Sequence, residues 1–370
     1  MRLRNKVAVA SIAAVAVISV VGASGVSARP APTPLQVASS YMKAPTKITQ
    51  KIPLRMKPPA GIKAVFMTNG TPQQTTVYNN MREVATLVGW ELSQITWLPT
   101  NGSSVDSSIN TALQQGANVI FAPALDLGVV SAVLRQRLLD AKTAVIVGQA
   151  CPNSPFAAPF FNGPTTCRQA APEAVALANW IAADANGKPA NILLSNVPQY
   201  AQLRVFGQEF QRQVPLACPT TCKVEVQNST QAQISANQLP SLLVNRLRAN
   251  PSLNYLVFDA GAYAAGILPA LDAAGLLDKV KVVGKAMGPD QQAALVAKQQ
   301  DAWVTAPYGG QAYAYMDSAF RVVTQSSGIT LNGVQPIQLL TTVNVGTVPV
   351  PYLFAPPDAL NQFKKLWRLP

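Results

Sequence analysis

The chain has 370 residues, 49 % of them apolar, and a formal net charge of +13. This is enough apolar material for about two packed domains, and it excludes general disorder. There is no His, so a Ser-His or Cys-His nucleophile, an imidazole base and a His-containing metal site are excluded as well.

The N-terminus carries Arg2, Arg4 and Lys6, then runs uncharged from Val7 to Ala28 and ends in Val26-Ser27-Ala28. Small residues after an apolar run read as an export signal, residues 1–28, cleaved after Ala28. An uncleaved membrane anchor is the competing reading, weakened by Gly22, Ser24, Gly25 and Ser27 at the far end. No Cys precedes Cys151, which excludes a lipoprotein anchor at this junction. The protein is therefore expected to be periplasmic, wall-associated or extracellular. Its positive charge is concentrated at the front, because no Asp or Glu precedes Glu83. The folded body is nearly neutral and lacks the aromatic interleaving of a nucleic-acid platform, so no nucleic-acid partner is expected. Residues 29–60 are basic and rich in Pro, and read as an extended, solvated linker.

From Gly61 the pattern is strand, polar loop, amphipathic helix. Ile62–Met67 is a short apolar run, and Val77, Met81, Val84, Ala85 and Val88 recur at helical spacing. The loop between them, Thr68 to Gln74, offers Asn69, Thr71, Gln73 and Gln74, all uncharged hydrogen-bonding groups suited to binding rather than catalysis. The same alternation continues through strands near residues 91–98, 118–122, 143–147, 190–194, 223–226, 255–258, 281–283, 302–305 and 339–345, with helices between them. This implies parallel sheets with both faces covered, and so many strands imply two lobes, each a doubly wound α/β sheet. A Pro-rich extension, residues 349–370, ends in a helix near Asp358 to Trp367.

Cys151, Cys167, Cys218 and Cys222 form two local pairs, predicting disulfides 151–167 and 218–222 in an oxidising compartment, although three pairings are formally available. A zinc site is the alternative, but neither pair has C-x-x-C spacing. The loop closed by Cys151 and Cys167 contains Phe156, Phe160 and Phe161. These rings either pack on the lobe or, in the sharper reading, Phe160 or Phe161 overhangs the cleft and covers an apolar ligand.

Phosphate-binding Gly motifs are absent. Asp126, Asp259 and Asp290 fall near strand ends, where a carboxylate caps a helix, accepts from a ligand, or forms one half of a glycosidase pair.

The order and spacing of several short pieces resemble the type I periplasmic solute-binding proteins, the group of the ribose- and galactose-binding proteins of ABC importers. The pieces are Pro72 after the first strand, Ala141 to Ile146, the R-x-x-G-x-x-F run from Arg204 to Phe210, Leu256-Val257-Phe258, and Val282-Val283-Gly284. The resemblance implies two Rossmann-like lobes joined by three crossover strands with the ligand clamped between them. It places the N-terminal lobe at 61–167 plus 308–336 and the C-terminal lobe at 168–307 plus 337–348. The crossovers then fall near Thr166–Ala170, Thr305–Tyr308 and Pro336–Leu339, and the lobes close as a hinge.

Carried over residue by residue, Arg204 matches the family arginine that reaches the ligand. Gln73 and Gln74 stand where sugar binders have stacking aromatic rings, and Gln149 stands near an acidic position. Ala260 or Gly261, Ala286 and Ala306 stand near polar positions of the family. Loss of those sugar-gripping groups points to a ligand less polar than a simple monosaccharide, with Tyr200, Tyr263, Tyr308 and Asp259 as further contacts. The implied function is a non-enzymatic, exported, monomeric receptor that needs no cofactor or metal and delivers a small molecule to the permease of an ABC importer. The alternatives are a ligand sensor or adaptor docking to a membrane receptor, and a carboxylate-based carbohydrate-active enzyme.

Overall fold

The computed structural model describes residues 31–151 and 156–370; the expected export signal lies outside them. The first lobe is built on a parallel sheet of β1 (Lys63–Thr68), β2 (Glu91–Thr96), β3 (Val119–Phe121), β4 (Ala144–Val147) and β5 (Phe160–Asn162), in the order β2-β1-β3-β4-β5. The second carries β6 (Ala190–Asn196), β7 (Cys222–Asn228), β8 (Tyr255–Phe258), β9 (Lys281–Met287), β10 (Ala302–Thr305) and β11 (Leu339–Thr341), in the order β11-β10-β9-β8-β6-β7. Only β11 runs antiparallel to its neighbour.

Apart from the edge strands β2 and β7, both sheets are buried on both faces, as parallel sheets require. Along β1, Ala64 and Phe66 enter one core, while Val65 and Met67 enter the opposite one. Tyr255 and Val257 of β8 likewise face away from Leu256 and Phe258. The helices covering the sheets are α1 (Pro34–Met42), α2 (Pro72–Val88), α3 (Gly102–Gln114), α4 (Ala132–Asp140), α5 (Ala170–Ala185), α6 (Ala201–Ala217), α7 (Gln231–Ser235), α8 (Leu239–Ala249), α9 (Ile267–Ala273), α10 (Pro289–Val296), α11 (Tyr308–Val323) and α12 (Ala359–Leu366).

The chain leaves the first sheet after β5, returns through residues 306–307 into α11, and leaves again before β11. These crossings are laced together. Thr166 N donates to Gly333 O at 2.9 Å, Gln335 N to Gln169 Oε1 at 2.7 Å, and Gln338 N to Thr305 Oγ1 at 2.8 Å. Both disulfides form as paired in the sequence analysis, with Cα separations of 5.0 Å for Cys151–Cys167 and 5.5 Å for Cys218–Cys222.

Three expectations need correction. The segment expected as a solvated linker is folded: Thr33 and Gln36 form a capping box, Pro34 occupies the first helical position, and α1 buries Ala38 in the core of the second lobe. Beyond α1, Leu54 is buried in the core of the first lobe, and its N–H donates to Leu366 O at 2.9 Å. The second correction concerns α2. It starts at Pro72, not Thr75, because Thr71 caps it and Pro72 presets the first turn, so Gln73 and Gln74 sit on the helix N-terminus instead of in a loop. The third is that Phe160 does not overhang the cleft. It lies in β5, fully buried with Val145, Val147 and Ile120, and the Arg135 guanidinium sits 4.7 Å from the centre of its ring. Phe161, half-buried, packs on the other core of the same lobe.

A single buried carboxylate ties the terminal segments to α11. Asp317 accepts from Arg321 Nε at 2.6 Å, Asn332 Nδ2 at 2.7 Å, Trp367 Nε1 at 2.8 Å and Gln50 Nε2 at 3.2 Å. Asp317→Ala leaves the buried Arg321 unpaired and is expected to destabilise the fold by about 3–5 kcal/mol, read as a lowered urea midpoint. Phe160→Ala is expected to cost about 3–5 kcal/mol in the same assay; a loss well under 1 kcal/mol would return this ring to the surface.

Candidate functional site

The carboxyl ends of both sheets face one cavity of about 170 Å³ between the lobes. Ligands bind at this position in open α/β sheets, because loops and helix N-termini converge there. From the first lobe, the cavity is lined by Asn69 after β1, Gln73 and Gln74 on α2, and Gln149 after β4. The second lobe supplies Tyr200 at the start of α6, Tyr263 after β8, and Lys285 and Ala286 of β9. Tyr308 enters from the first turn of α11.

Short-range bonds set the shape of the first wall. Asn69 Oδ1 accepts from Thr71 Oγ1 at 3.1 Å, and Asn69 N donates to Gln74 Oε1 at 2.6 Å. Gln73 reaches across the cleft, so a Cβ on Gly288 would stand 3.5 Å from Gln73 Nε2. Three wall residues that are not glycine hold left-handed backbone: Ala124 (φ 59°), Gln149 (φ 54°) and Ala286 (φ 54°). Such geometry costs about 1 kcal/mol or more per residue and gathers at ligand clamps. The tyrosines stay neutral, since burial raises Tyr200, Tyr263 and Tyr308 above the ordinary phenol value.

Besides Phe160 and Phe161, two more of the residues expected at the cavity stand elsewhere. Arg204 is exposed on the outer face of the first turn of α6, where its Nη1 donates to Pro198 O at 2.8 Å; its neighbours Gln202 and Leu203 line the cavity instead. Asp259 turns beneath the wall. Its Oδ2 accepts from Val197 N at 2.6 Å and from Asn196 Nδ2 at 2.9 Å, and it has no exposure. Of the other two acids considered, Asp126 caps a single 3-10 turn and Asp290 lies in the first turn of α10.

Composition alone did not reveal Lys285, Gln311 and Tyr315, which also line the cavity. Lys285 is buried, pairs with Glu173 Oε2 at 3.2 Å, and lies 5.1 Å from the centre of the Phe206 ring. Gln311 and Tyr315 carry a signal that was present in the sequence: polar residues four apart on one face of a helix.

Burial dominates the electrostatics behind the wall. It raises Asp259 to about 7 against the opposing pull of the Val197 N–H, Lys285 and Asn196. It also raises Glu173, whose nearest counter-charge is Lys285. For Asp259 the folded pKa lies above the unfolded value of about 3.9, so the folded state binds the extra proton. Its contribution is fully present below about pH 4 and is lost as pH rises through about 7. Relative to Asp259→Asn, the parent should lose stability between pH 4 and pH 7. Paired urea titrations would detect this, and parallel curves for the two proteins would show that the carboxyl is not held protonated.

The chain matches the family description "Periplasmic binding protein domain" over residues 62–327. No curated protein matches it. Solved structures share the fold at low identity. A solute-binding protein of an ABC transporter from Burkholderia graminis, in complex with D-arabinose, aligns at a TM-score of 0.64 and 14 % identity over 78 % of this chain and 98 % of that one. One from Bradyrhizobium sp. BTAi1, with bound Bis-Tris, gives a TM-score of 0.61 and 17 % identity over 84 % and 90 %. A Mycobacterium smegmatis protein in complex with β-D-fucofuranose gives 0.61 and 15 % over 83 % and 98 %. At such identities the likeness shows the fold alone, two α/β lobes with parallel sheets. The family match spans most of both lobes, and the chain belongs to the periplasmic binding protein family.

Proposed function

We propose that this protein is an exported, non-enzymatic receptor that captures one small molecule between its lobes and delivers it to the permease of an ABC importer. The observation that carries this reading is the composition of the cavity wall. Amides and phenols from both lobes converge on one space, and no Asp or Glu lines it among the described residues. A glycosidase needs two carboxylates facing its substrate, and the nearest candidate, Asp259, is bonded beneath the wall.

The same wall bears on the class of solute. At about 170 Å³ the space is little larger than a cavity that admits one benzene ring, which keeps the solute small. The related structures hold D-arabinose, β-D-fucofuranose and Bis-Tris, all small and hydroxylated. This chain lines its cavity with Phe66, Val77, Leu203 and several alanines beside its amides and phenols. Such a wall suits a solute with fewer hydroxyls and more apolar surface than a simple monosaccharide.

Thermal-shift screening with sugars, polyols, aromatic acids and terpenoid-like compounds tests the proposal. A true solute at a hundredfold excess over its Kd stabilises by about 2.7 kcal/mol, and small-angle scattering should then show compaction as the lobes close on it. Turnover of a glycoside, abolished by Asp259→Asn, would overturn the receptor reading.

A further inference from the structure

The inner end of the cavity contains two polar atoms with no hydrogen-bond partner in the protein, Gln311 Oε1 and Tyr315 Oη. Their residues are 3 % and 1 % exposed and stand four apart on α11, on one face of the helix. Buried polar atoms are nearly always paired, so each exception asks for a cause. The buried orphans Trp97 Nε1 and Asn332 Oδ1 lie away from the cavity, whereas these two line it.

The surrounding packing positions the phenol. The Tyr315 ring stands edge-on to Phe66 at 6.2 Å and to Phe121 at 5.9 Å between centroids. A Cβ on Gly148 would fall 2.0 Å from its oxygen, so Gly148 leaves room for the hydroxyl. Phe at 315 would fill the same ring site without burying an oxygen, and Met at 311 would fill the space of Gln without burying an amide. The fold therefore gains nothing from the polar ends of these two side chains.

We propose that Gln311 and Tyr315 form a recognition floor that hydrogen-bonds a hydroxyl-bearing end of the bound solute. Gln311 Oε1 only accepts, so the solute must donate; the Tyr315 hydroxyl accepts or donates. A hydroxyl meets both demands. An ammonium would meet the first, but no carboxylate in the wall compensates its charge and Lys285 opposes it. This inference rests on the receptor reading and adds an orientation to it: the hydroxyl end points inward to α11, and the apolar body lies against the tyrosines of the second lobe. Because α11 directly follows the crossing from β10, a solute on this floor that also touches Tyr263 or Lys285 spans both lobes.

The test uses Gln311→Met and Tyr315→Phe in the full chain, with glycerol and myo-inositol as probes. Without any probe, each variant should melt at or above the parent temperature, since an apolar isostere at an unpaired polar site is neutral or stabilising. A clear fall for either variant would give that residue a structural role and remove it from the floor. In crystals soaked with each polyol, a hydroxyl should lie within about 3.2 Å of Gln311 Oε1 or Tyr315 Oη, and that position should be lost in the variants. A polyol bound at Gln73, Gln149 or Tyr263 with the floor untouched would overturn the inference but leave the receptor reading standing. A cavity that takes neither polyol would also overturn the inference, while the receptor reading, which favours a less hydroxylated solute, would stand.

Discussion

The structure depends on one buried ion pair. Asp317 and Arg321 stand one turn apart on α11 with no side-chain exposure. Two charges removed from water are a net cost unless their lone pairs and N–H groups are matched, and here both carboxylate oxygens and four of the five guanidinium N–H groups are. The carboxylate collects Asn332, Trp367 and Gln50 besides its arginine, while Arg321 also donates to Ser327 O and Ile52 O. The partners come from three stretches of chain, so the pair anchors the front segment, the turn before β11 and the C-terminal helix to one central helix. With that end of α11 immobilised, the opposite end can hold Tyr308, Gln311 and Tyr315 at the cavity.

A second, smaller charge cluster fixes the opposite wall. Lys285 brings its amine into an apolar setting against Phe206, and Glu173 on α5 supplies the counter-charge at 3.2 Å. Asp259, beside them, is raised by burial and shares the field of the same lysine. A carboxyl in this state is a poor candidate for gripping solute and a good one for holding the Asn196–Val197 turn at the head of α6. Apart from Lys285, the polar side chains lining the wall are therefore neutral amides, hydroxyls and phenols. Left-handed backbone at Ala124, Gln149 and Ala286 is where the local fold concedes stability so that amides and backbone face the cleft.

Most of the fold was legible in the sequence for a plain physical reason. Strands buried on both faces read as apolar runs, and Tyr255–Phe258 and Ala302–Thr305 match their strands residue for residue. The strand Phe160–Asn162 did not, because three residues between Pro159 and Gly163 look like loop until they pair with β4. The helix at Pro34 was masked by its prolines, although Thr33 and Gln36 spell a capping box. The run from Gln231 to Ala249 divides into α7 and α8 around Asn237, which holds a positive φ of 55°. At the cavity, residues at strand ends were found because topology alone places them. Arg204 misled because a motif fixes a position on a helix, not the side to which it points; the start of α6 turned it outward. Gln311 and Tyr315 escaped because depth along a helix axis depends on how that helix meets the sheet.

The terminal segments constrain the hinge motion expected of the proposed receptor. In addition to the three laced crossings, the front segment passes from α1 in the core of the second lobe to Leu54 in the core of the first. The C-terminal segment passes from Tyr352 and Ala355 in the second lobe to Phe363 and Trp367 in the first. Phe354, between them, stacks on Tyr313 of α11 at 5.5 Å. A lobe rotation that keeps both cores packed must be absorbed by the short stretches between these anchors as well as by the crossings themselves. Packed anchors resist continuous deformation, so motion concentrates where the chain is least buried. In the proposed receptor, opening would be confined to rotations that leave α11, with the proposed floor on it, fixed to the first lobe, while Lys285 and Tyr263 move away with the second.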